Sequence, residues 1–374
     1  MKVTCLQENL KTNLNITQNI VGKNLTLPIL NNLLLETDGG RLKISSTNLE
    51  IGINTWTSGK VEKNGSLTCP AKILSSFVDN LPNKKIDLET KDNSLFIHCE
   101  NYKATIKGLS SDDFPLIPQI KEKPFFVFKK SENLKDDLSA VVGSAALSES
   151  RPEFSGVLFR FDKEAVKFVA TDSFRLAEAT VYQGNNLKEP SSFIVPQRTI
   201  QELIRIIGEK PGREIKFSLG DSQILFEIED VQLISRLIDG QYPDYQQIIP
   251  KGFETKVTLA REEFINNIRI ASIFSSRIND VKLAVKNDKV EILSQDSELG
   301  ENKSQMSAQV QGKSMEIVFN YRYLMDGLAN IPTKQVFLGM NSEAEGSSPR
   351  SNPAVIKPVG ESNYLYVIMP IKTS

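Results

Sequence analysis

The feature of this 374-residue sequence that most constrains its fold is a threefold internal repeat. Thr47, Thr171 and Gln295 lie at equal intervals along the chain. Each ends a run typical of a β-strand and precedes another alternating segment, a pattern that predicts strand, polar turn and strand. Self-similarity at a fixed interval indicates one structural unit copied three times. We therefore expect three domains with one common fold.

A second set of landmarks repeats with nearly the same interval. Pro70, Pro196 and Asn320 each precede a segment whose apolar residues recur at i, i+3, i+4 and i+7, which predicts an amphipathic helix. The apolar positions are Leu74, Phe77, Val78 and Leu81, then Ile200, Leu203, Ile204 and Ile207, then Leu324, Gly327, Leu328 and Ile331. Each copy also begins with a further segment whose pattern of apolar residues predicts a helix. The expected fold class is α+β, with two helices and antiparallel sheets in every domain.

Aromatic-proline turns separate the copies. Phe114–Pro115 and Tyr242–Pro243 each begin an extended segment that carries further prolines, which is typical of a connection between domains. We predict domains at 1–123, 124–252 and 253–374. A polar stretch rich in Ser and Gly at 341–354 interrupts the third copy, and we expect an exposed loop there.

The composition is that of a globular protein without an evident catalytic set. It is 40% apolar and 24% charged, without an apolar run long enough for a membrane helix or a signal peptide, which predicts a cytoplasmic protein that does not bind membranes. Cys5, Cys69 and Cys99 are widely spaced, which favours reduced thiols over a disulfide framework or a zinc site. His98, the one histidine, lies in a strand-like run. We expect no metal and no cofactor.

The stretch ATDSFRLA, residues 170–177, is the one place that resembles an active site. It groups four residues common in catalysis, Thr171, Asp172, Ser173 and Arg175. An enzyme with this site is one hypothesis, but the other copies read TNLE and QDSE at the same place. The repeat therefore favours a polar strand turn used by every domain. Phe174, Arg175 and Leu176 are where the second copy departs from the others, and we expect them to build a binding edge.

Charge is distributed unevenly although the formal net charge is only −1. The predicted helices carry more Lys and Arg than Asp and Glu, and the remainder of the chain carries the opposite excess. A diffuse basic surface of this kind would hold a nucleic-acid backbone without reading bases. Ordinary solvated helix faces explain the same counts, so the charge pattern alone leaves both interpretations open.

Over its full length the chain resembles a known family, the bacterial DNA polymerase III beta subunits or β sliding clamps. The matching segments are LTLPILNNLLLE (25–36), VATDSFRLA (169–177), FIVPQRTIQEL (193–203), LIDGQYPDYQQIIP (237–250) and YVIMP (366–370). The resemblance implies three domains of the DNA clamp fold that form half of a ring. It also implies a head-to-tail homodimer that encircles double-stranded DNA without catalysing a reaction.

The family carries a groove between its second and third domains that binds short linear motifs of the replicative polymerase, the clamp loader and repair proteins. The groove positions implied here are Phe154, Thr171, Ser173, Phe174, Arg175, Leu176, Pro243, Gln247, Ile248, Pro353, Val367, Ile368, Met369, Pro370 and Ile371. An apolar pocket with a flexible Met suits a Leu or Phe anchor. Ser173 and Phe174 stand where many members have Gly followed by His or Tyr, so the pocket rim loses a hydrogen-bonding aromatic.

The resemblance and the charge pattern together imply the remaining contacts. For DNA they are Lys11, Lys23, Asn24, Lys72, Arg151, Arg198 and Arg205. For the homodimer they are Lys103, Ala104, Ile106 and Lys107 of one copy and Ile273, Phe274, Glu298 and Glu301 of the other. Exposed ion pairs contribute little to the stability of an interface, so we expect apolar contacts to provide most of the free energy that closes the dimer. A triplicated scaffold that binds proteins but not DNA is the remaining alternative.

Overall fold

The computed structural model describes residues 1–22, 26–148, 150–183, 190–342, 352–360 and 363–372. Within these ranges the chain forms 26 strands and six α-helices, with two helices in each copy of the repeat. Every pairing between these strands is antiparallel. Lys23 and Asn24, two of the predicted DNA contacts, and most of the 341–354 segment lie outside the described residues.

The three copies contain the elements in nearly the same order. The first has β1 Lys2–Leu6, α1 Gln7–Gln18, β2 Asn32–Asp38, β3 Arg41–Thr47, β4 Ile51–Thr57, β5 Gly59–Lys63, β6 Ser66–Pro70, α2 Ala71–Asp79, β7 Lys85–Lys91, β8 Ser94–Cys99 and β9 Tyr102–Lys107. The second has β10 Phe126–Phe128, α3 Ser131–Val142, β11 Gly156–Phe161, β12 Val166–Thr171, β13 Arg175–Val181, β14 Ser191–Pro196, α4 Gln197–Glu209, β15 Ile215–Leu219, β16 Gln223–Ile228 and β17 Val231–Arg236. The third has β18 Thr255–Ala260, α5 Arg261–Ala271, β19 Asp280–Lys286, β20 Lys289–Asp296, β21 Gly300–Ser307, β22 Gln309–Gly312, β23 Met315–Asn320, α6 Tyr321–Ala329, β24 Gln335–Met340, β25 Ala354–Pro358 and β26 Tyr364–Ile368.

The second helix of each copy begins where the sequence predicts. Helix α2 starts directly after Pro70, and α6 starts after Asn320, whose side-chain oxygen accepts a hydrogen bond from the backbone N–H of Arg322 at 2.9 Å. Leu74 and Leu324, which lead the two apolar stripes, are both buried. Because each helix buries one stripe, packing against the domain rather than intrinsic propensity provides most of its stability.

The chain packs as two compact units that do not follow the copies. The first unit comprises Met1–Lys135 with Gln201–Leu237, and the second comprises Asp136–Ile200 with Ile238–Ser374. The first holds the sheets β5-β1-β7-β8-β9 and β10-β15-β16-β17-β4-β3-β2-β6. The second holds β14-β11-β12-β13-β26-β25-β24-β18-β22 and β21-β20-β19-β23. Half of the second copy therefore shares a sheet with each neighbour, and the domain bounds 1–123, 124–252 and 253–374 stay a prediction.

Neighbouring copies are joined strand to strand in the same manner. In the first unit β17 pairs with β4, and Ile234 lies opposite Gly52. In the second unit β26 pairs with β13, and Val367 lies opposite Leu176. Strands β4 and β13 occupy the same place in their copies, as do β17 and β26. In the third copy the strand that corresponds to β4 and β13 is β21. In the first copy the strand that corresponds to β17 and β26 is β9. Within the described part of the chain, each forms the edge of its sheet.

The cysteines and the histidine take the places expected of structural residues. Cys5, Cys69 and Cys99 are free and buried, and burial raises the pKa of Cys5 and of Cys69 to about 12. These thiols are therefore poor nucleophiles at neutral pH. His98 lies on strand β8, as the alternating pattern predicts. Across the described residues, no helix is both long enough and apolar enough to cross a membrane.

Candidate functional site

The turn at 171–175 is held together by its own side chains. Thr171 Oγ1 donates a hydrogen bond to the carbonyl oxygen of Arg175 at 2.6 Å and accepts one from the N–H of Ser173 at 3.1 Å. The Asp172 carboxylate accepts from the backbone N–H groups of Phe174 and Arg175 at 2.9 and 3.0 Å. Ser173 takes a left-handed backbone conformation, with φ of 77°. Thr171 and Asp172 thus stabilise a tight turn between two strands.

The first copy forms the same turn with Thr47 and Asn48 in the places of Thr171 and Asp172. Thr47 Oγ1 donates to the carbonyl oxygen of Ile51 at 2.9 Å, and Asn48 Oδ1 accepts from the N–H of Ile51 at 2.8 Å. Leu49 has φ of 78°, nearly the value at the equivalent Ser173. In the third copy Asp296 accepts two backbone hydrogen bonds in the same way. The geometry therefore supports a strand turn common to the copies and does not support the catalytic hypothesis.

Arg175 faces away from the surface beside this turn and connects the second copy to the third. Its Nε donates to Asp172 at 2.9 Å, and its Nη2 donates to the carbonyl oxygen of Gly143 at 2.8 Å. Its Nη1 pairs with Asp326, and its guanidinium carbon lies 4.6 Å from the ring centroid of Tyr323. All three guanidinium nitrogens are engaged, so Arg175 fixes this junction and does not line the predicted groove.

A groove of about 610 Å³ lies on the other side of the turn, within the second unit. The predicted residues that line it are Phe154, Thr171, Ser173, Leu176, Pro243, Gln247, Ile248, Pro353 and Met369. Beneath it lies a buried apolar cluster that includes Leu176 and Val367. An apolar concavity with a few polar groups at its rim suits an apolar side chain of a bound segment.

One wall of the groove is a short 3-10 turn, Tyr245–Ile248, that a buried network fixes in place. The Tyr245 hydroxyl donates to Glu178 Oε2 at 2.5 Å, and Lys167 Nζ donates to Glu178 Oε1 at 2.9 Å. Burial, together with the hydrogen bond to Glu178, raises the pKa of Tyr245 above its usual range. Loss of either partner would leave the buried Glu178 carboxylate uncompensated, so this network holds the wall at its first residue, Tyr245.

Several groove residues were missed by the sequence prediction. They are Tyr242, Asp244, Tyr245, Pro250, Asn341 and Asn352. Arg151, predicted as a DNA contact, also lines the groove, with its guanidinium 5.6 Å from the ring centroid of Phe154. The sequence could have identified Tyr242 and Tyr245, because both lie in the segment 237–250, which resembles the clamp family.

Other predicted groove residues lie elsewhere. Phe174 is exposed at the tip of the turn, while Val367 and Ile368 are buried within the sheet. Pro370 and Ile371 line a neighbouring cleft of about 490 Å³. Alternation along β26 explains part of this, since successive side chains point to opposite faces of a sheet.

The predicted DNA contacts lie mainly on helices. Lys72 and Arg198 are exposed on α2 and α4, and Lys11 on α1 lies 3.5 Å from the carboxylate of Asp79. Arg205 has a different environment, because its Nη2 donates to the carbonyl oxygen of Ile16 at 2.6 Å near the end of α1. This contact satisfies an otherwise unpaired helix carbonyl, which gives Arg205 a structural role.

The predicted dimer contacts lie on or near the two edge strands. On β9, Lys103 and Lys107 are exposed, Ala104 is half-buried, and Ile106 packs into the core of the first unit. Near β21, Ile273, Glu298 and Glu301 are exposed, and Phe274 is half-buried. The alternating pattern of a strand accounts for the inward position of Ile106.

Further exposed apolar residues were missed by the sequence prediction, among them Tyr102 on β9 and Leu299 directly before β21. They are Ile73 and Tyr102 in the first copy and Ile270, Ile278 and Leu299 in the third. Ile273 and Leu299 are 65% and 63% exposed. Large apolar side chains grouped at an unpaired sheet edge are typical of an interaction surface.

Comparisons with known proteins agree across the whole chain. Three family models, the N-terminal, central and C-terminal domains of the DNA polymerase III beta subunit, match residues 1–118, 130–244 and 246–372. The beta sliding clamp of Synechococcus elongatus is 30% identical over 385 residues, covering 100% of this chain and 99% of that protein.

Solved structures of DNA polymerase III beta subunits are similar to this structure over its whole length. The DNA polymerase III subunit beta from Pseudomonas aeruginosa superposes with a TM-score of 0.93 at 25% identity, covering 100% of both chains. A structure of the P. aeruginosa clamp bound to griselimycin gives a TM-score of 0.92 at 26% identity, again over 100% of both chains.

Three copies of one two-helix domain, joined strand to strand, define an α+β protein of the DNA clamp fold, as predicted. Its groove lies in the unit that contains the second of the two junctions. The chain belongs to the DNA polymerase III beta subunit family, the beta sliding clamps.

Proposed function

We propose that this chain is a DNA sliding clamp, a non-catalytic processivity factor of the DNA polymerase III holoenzyme. Two copies join head to tail into a ring that encircles duplex DNA, and the groove tethers the replicative polymerase. Family membership over the full length supports this function. The proposal keeps the domain bounds 1–123, 124–252 and 253–374, and the cytoplasmic location stays a prediction.

The observation that carries the proposal is the twice-repeated strand junction. In each junction the first residue of the incoming strand lies opposite the fifth residue of the receiving strand, Val231 opposite Thr55 and Tyr364 opposite Ala179. The same rule applied to β9 and β21 of a second copy places Tyr102 opposite Ser304. A third junction between copies uses two different surfaces, which is the heterologous contact that closes a ring.

The side chains around this proposed third junction are complementary. The transferred register places Thr105 opposite Glu301 of the second copy, with Lys103 and Lys107 as its diagonal neighbours on the same face. The exposed apolar residues Ile73 and Tyr102 would meet Ile273 and Leu299 of the second copy. Burial of apolar surface contributes roughly 25 cal/mol per Å², so these residues supply most of the closure energy.

The DNA contacts in the proposal are sparse and independent of base sequence. Lys11, Lys72 and Arg198 provide cations on three helices, and Lys23 and Asn24 remain predictions from the resemblance. Arg205 and Arg151 are the members least free to reach a phosphate, since one caps a helix and the other lies over Phe154. Scattered phosphate contacts give weak, salt-sensitive binding that permits sliding.

The groove in the proposal receives short linear motifs with a Leu or Phe anchor, from the polymerase and also from the clamp loader and repair proteins. Leu176, Pro243 and Met369 supply apolar contacts, and Gln247 supplies a polar one at the rim. A flexible Met adapts to anchors of different shape, which suits a surface that several partners share.

Retention on DNA of different topology tests the proposal. Chains loaded onto nicked circular DNA should stay bound during gel filtration and leave after the circle is cut. Equal retention on circular and linear DNA would refute encirclement. A titration with short duplex DNA separates the clamp from a protein-only scaffold, because the clamp should show weak affinity that falls as salt rises.

A further inference from the structure

The two junctions inside the chain share a contact between helices in addition to the pairing of their strands. In the first unit Arg205 on α4 donates from Nη2 to the carbonyl oxygen of Ile16 on α1 at 2.6 Å. In the second unit Asn330, directly after α6, donates from Nδ2 to the carbonyl oxygen of Ala140 on α3 at 3.3 Å. The last carbonyls of a helix lack partners within the helix, so both contacts satisfy a helix end.

The two accepting carbonyls occupy the same position of the repeat. Ile16 and Ala140 are each the tenth residue of their helix, and the tenth residue of α5 is Ile270. Ile270 is 48% exposed and lies in the last turn of α5. The third copy therefore carries, at its surface, the helix end that a following copy caps in both units.

An equivalent contact inside the first and third copies supports this alignment of the helices. Gln7 and Arg261, the first residues of α1 and α5, donate to the carbonyl oxygens of Val78 at 2.8 Å and of Leu328 at 3.2 Å. These two acceptors are each the eighth residue of the second helix of their copy. Positions on α2 therefore correspond to positions on α6 in the same way as positions on α1 correspond to positions on α5.

Asn80 of the first copy corresponds to the donor Asn330. Each directly follows its helix, with φ and ψ of −93° and 0° at Asn80 and of −92° and 2° at Asn330. Each amide donates to the carbonyl four residues earlier, Asn80 to Ser76 at 2.8 Å and Asn330 to Asp326 at 3.1 Å. Asn80 is exposed, and among the described residues it has no contact like that of Asn330 with Ala140. Its amide is thus held as Asn330 is, and its second N–H is available to a partner.

The residue before Asn80 carries a charge that has a match on α5. Asp79 and Arg205 are each the ninth residue of their helix, and Arg205 also donates to the carbonyl oxygen of Asn15, the ninth residue of α1. The ninth residue of α5 is Arg269, which is exposed. Asp79 is partly exposed and makes only a long ion pair of 3.5 Å with Lys11. The repeat therefore places a carboxylate and a guanidinium at positions that are neighbours in the first unit.

We propose that the end of α2 of one chain packs on the end of α5 of a second chain of the same sequence. In this helix-end contact, Asn80 Nδ2 donates to the Ile270 carbonyl oxygen and Asp79 pairs with Arg269. The inference rests on the head-to-tail dimer of the proposed function and adds a helix contact to its strand contact. The Ile270 carbonyl already accepts the N–H of Ser272, and a carbonyl oxygen can accept two hydrogen bonds.

The pair of charges determines which surface fits this helix end. A carboxylate beside the C-terminus of a helix is unfavourable by itself, so Asp79 suits this place only where Arg269 faces it. An exposed ion pair adds little affinity, but a like-charge pair at the same place is repulsive. The helix-end contact therefore selects a second copy of this chain over a surface without the matching charge.

Exchange of the two charges tests the pair. Asp79→Arg and Arg269→Asp each place like charges at both joints of a dimer, so sedimentation velocity should show a dissociation constant about 10-fold higher for each variant alone. A mixed dimer has one joint with exchanged charges and one with the original charges. An equimolar mixture should therefore regain wild-type affinity. With a mass tag on one variant, native mass spectrometry should detect mixed dimers well above the half that random pairing gives.

A second variant tests the hydrogen bond, and a third is the matched control. Asn80→Ala should raise the dissociation constant about 10-fold, because one hydrogen bond is lost at each of two joints. High salt should remove the preference for mixed dimers but leave this loss in place. Glu164→Arg makes the same change of charge at an exposed residue of the second copy of the repeat, which takes no part in the joint, and should dimerise as the wild type does.

The outcomes separate this inference from the proposed function. Random pairing in the mixture, or wild-type affinity of either charge variant alone, overturns the ion pair, and wild-type affinity of Asn80→Ala overturns the hydrogen bond. If a charge reversal prevents folding, Asp79→Asn and Arg269→Gln replace the pair, and additive losses in their combination contradict it. A wild-type chain that sediments as a monomer refutes the dimer itself, whereas a wild-type dimer with random pairing refutes the helix-end contact alone.

Discussion

The turns Thr47–Ile51 and Thr171–Arg175 share a backbone and differ in what surrounds them. In each, a Thr hydroxyl and an Asx side chain make the same hydrogen bonds. Each also accepts a backbone hydrogen bond from the C-terminal end of the junction strand, from Arg236, the last residue of β17, at 3.1 Å in the first unit and from Met369, the residue after β26, at 2.9 Å in the second. Backbone pairing therefore maintains both junctions, and the side chains were free to diverge. Only the second turn borders the predicted peptide groove.

The largest expected effect separates the two junctions at the residue that donates this backbone hydrogen bond to the turn, Met369 in the second unit and Arg236 in the first. Met369→Glu places a carboxylate in an apolar groove, which costs several kcal/mol, so the affinity for a peptide with a Leu anchor should fall by at least ~100-fold. Fluorescence polarisation measures this, and sedimentation should show an unchanged dimer. Arg236→Glu is the matched control and should leave peptide affinity intact. Unchanged affinity in Met369→Glu would remove Met369 from the groove.

A smaller effect is expected from the arginine that only the second turn carries. The Arg175 side chain is 12% exposed and has carboxylate, carbonyl and aromatic partners. Arg175→Ala should lower the free energy of unfolding by about 3 kcal/mol, since it strands the partly buried Asp172. Urea denaturation measures the loss. Arg322→Ala, which removes an exposed cation, should leave the midpoint unchanged, and an equal loss in both variants would contradict the role of Arg175.

The Thr hydroxyl that both turns share predicts equal losses of the free energy of unfolding when it is removed from either turn. Thr171→Val and Thr47→Val each remove two short side-chain hydrogen bonds, and each should cost about 1–2 kcal/mol in urea denaturation. Only Thr171→Val should also weaken peptide binding, because only Thr171 lines the groove. A Thr47→Val variant with wild-type stability would show that the first turn does not depend on its threonine.

The smallest effect concerns the left-handed residue of each turn. Leu49 and Ser173 have φ of 78° and 77°, a conformation that glycine adopts without steric cost. Leu49→Gly and Ser173→Gly should raise the free energy of unfolding by up to about 1 kcal/mol, with the larger gain for the bulkier Leu49. Thermal unfolding checks this, and a clear destabilisation by either glycine would mean that the side chain has a packing role.

The repeat made the fold predictable, because each helix and strand depends on a local pattern that occurs three times. The lining of the groove by Leu176, Pro243 and Met369 was also anticipated, through the resemblance. The orientation of Arg175 was not, since it depends on Gly143 and Asp326, which are remote in sequence. The capping of α1 by Arg205 has the same cause: no spacing rule connects an arginine to a helix end in another copy.

The two edge strands β9 and β21 have a consequence for handling the protein. A chain that carries both halves of a head-to-tail joint can add partners without limit unless the second addition returns to the first chain. In the proposed head-to-tail ring, pairwise closure is therefore what prevents polymerisation. A substitution that alters only the angle at this joint should produce filaments rather than monomers, and turbidity at high concentration would reveal it before any loss of folded structure.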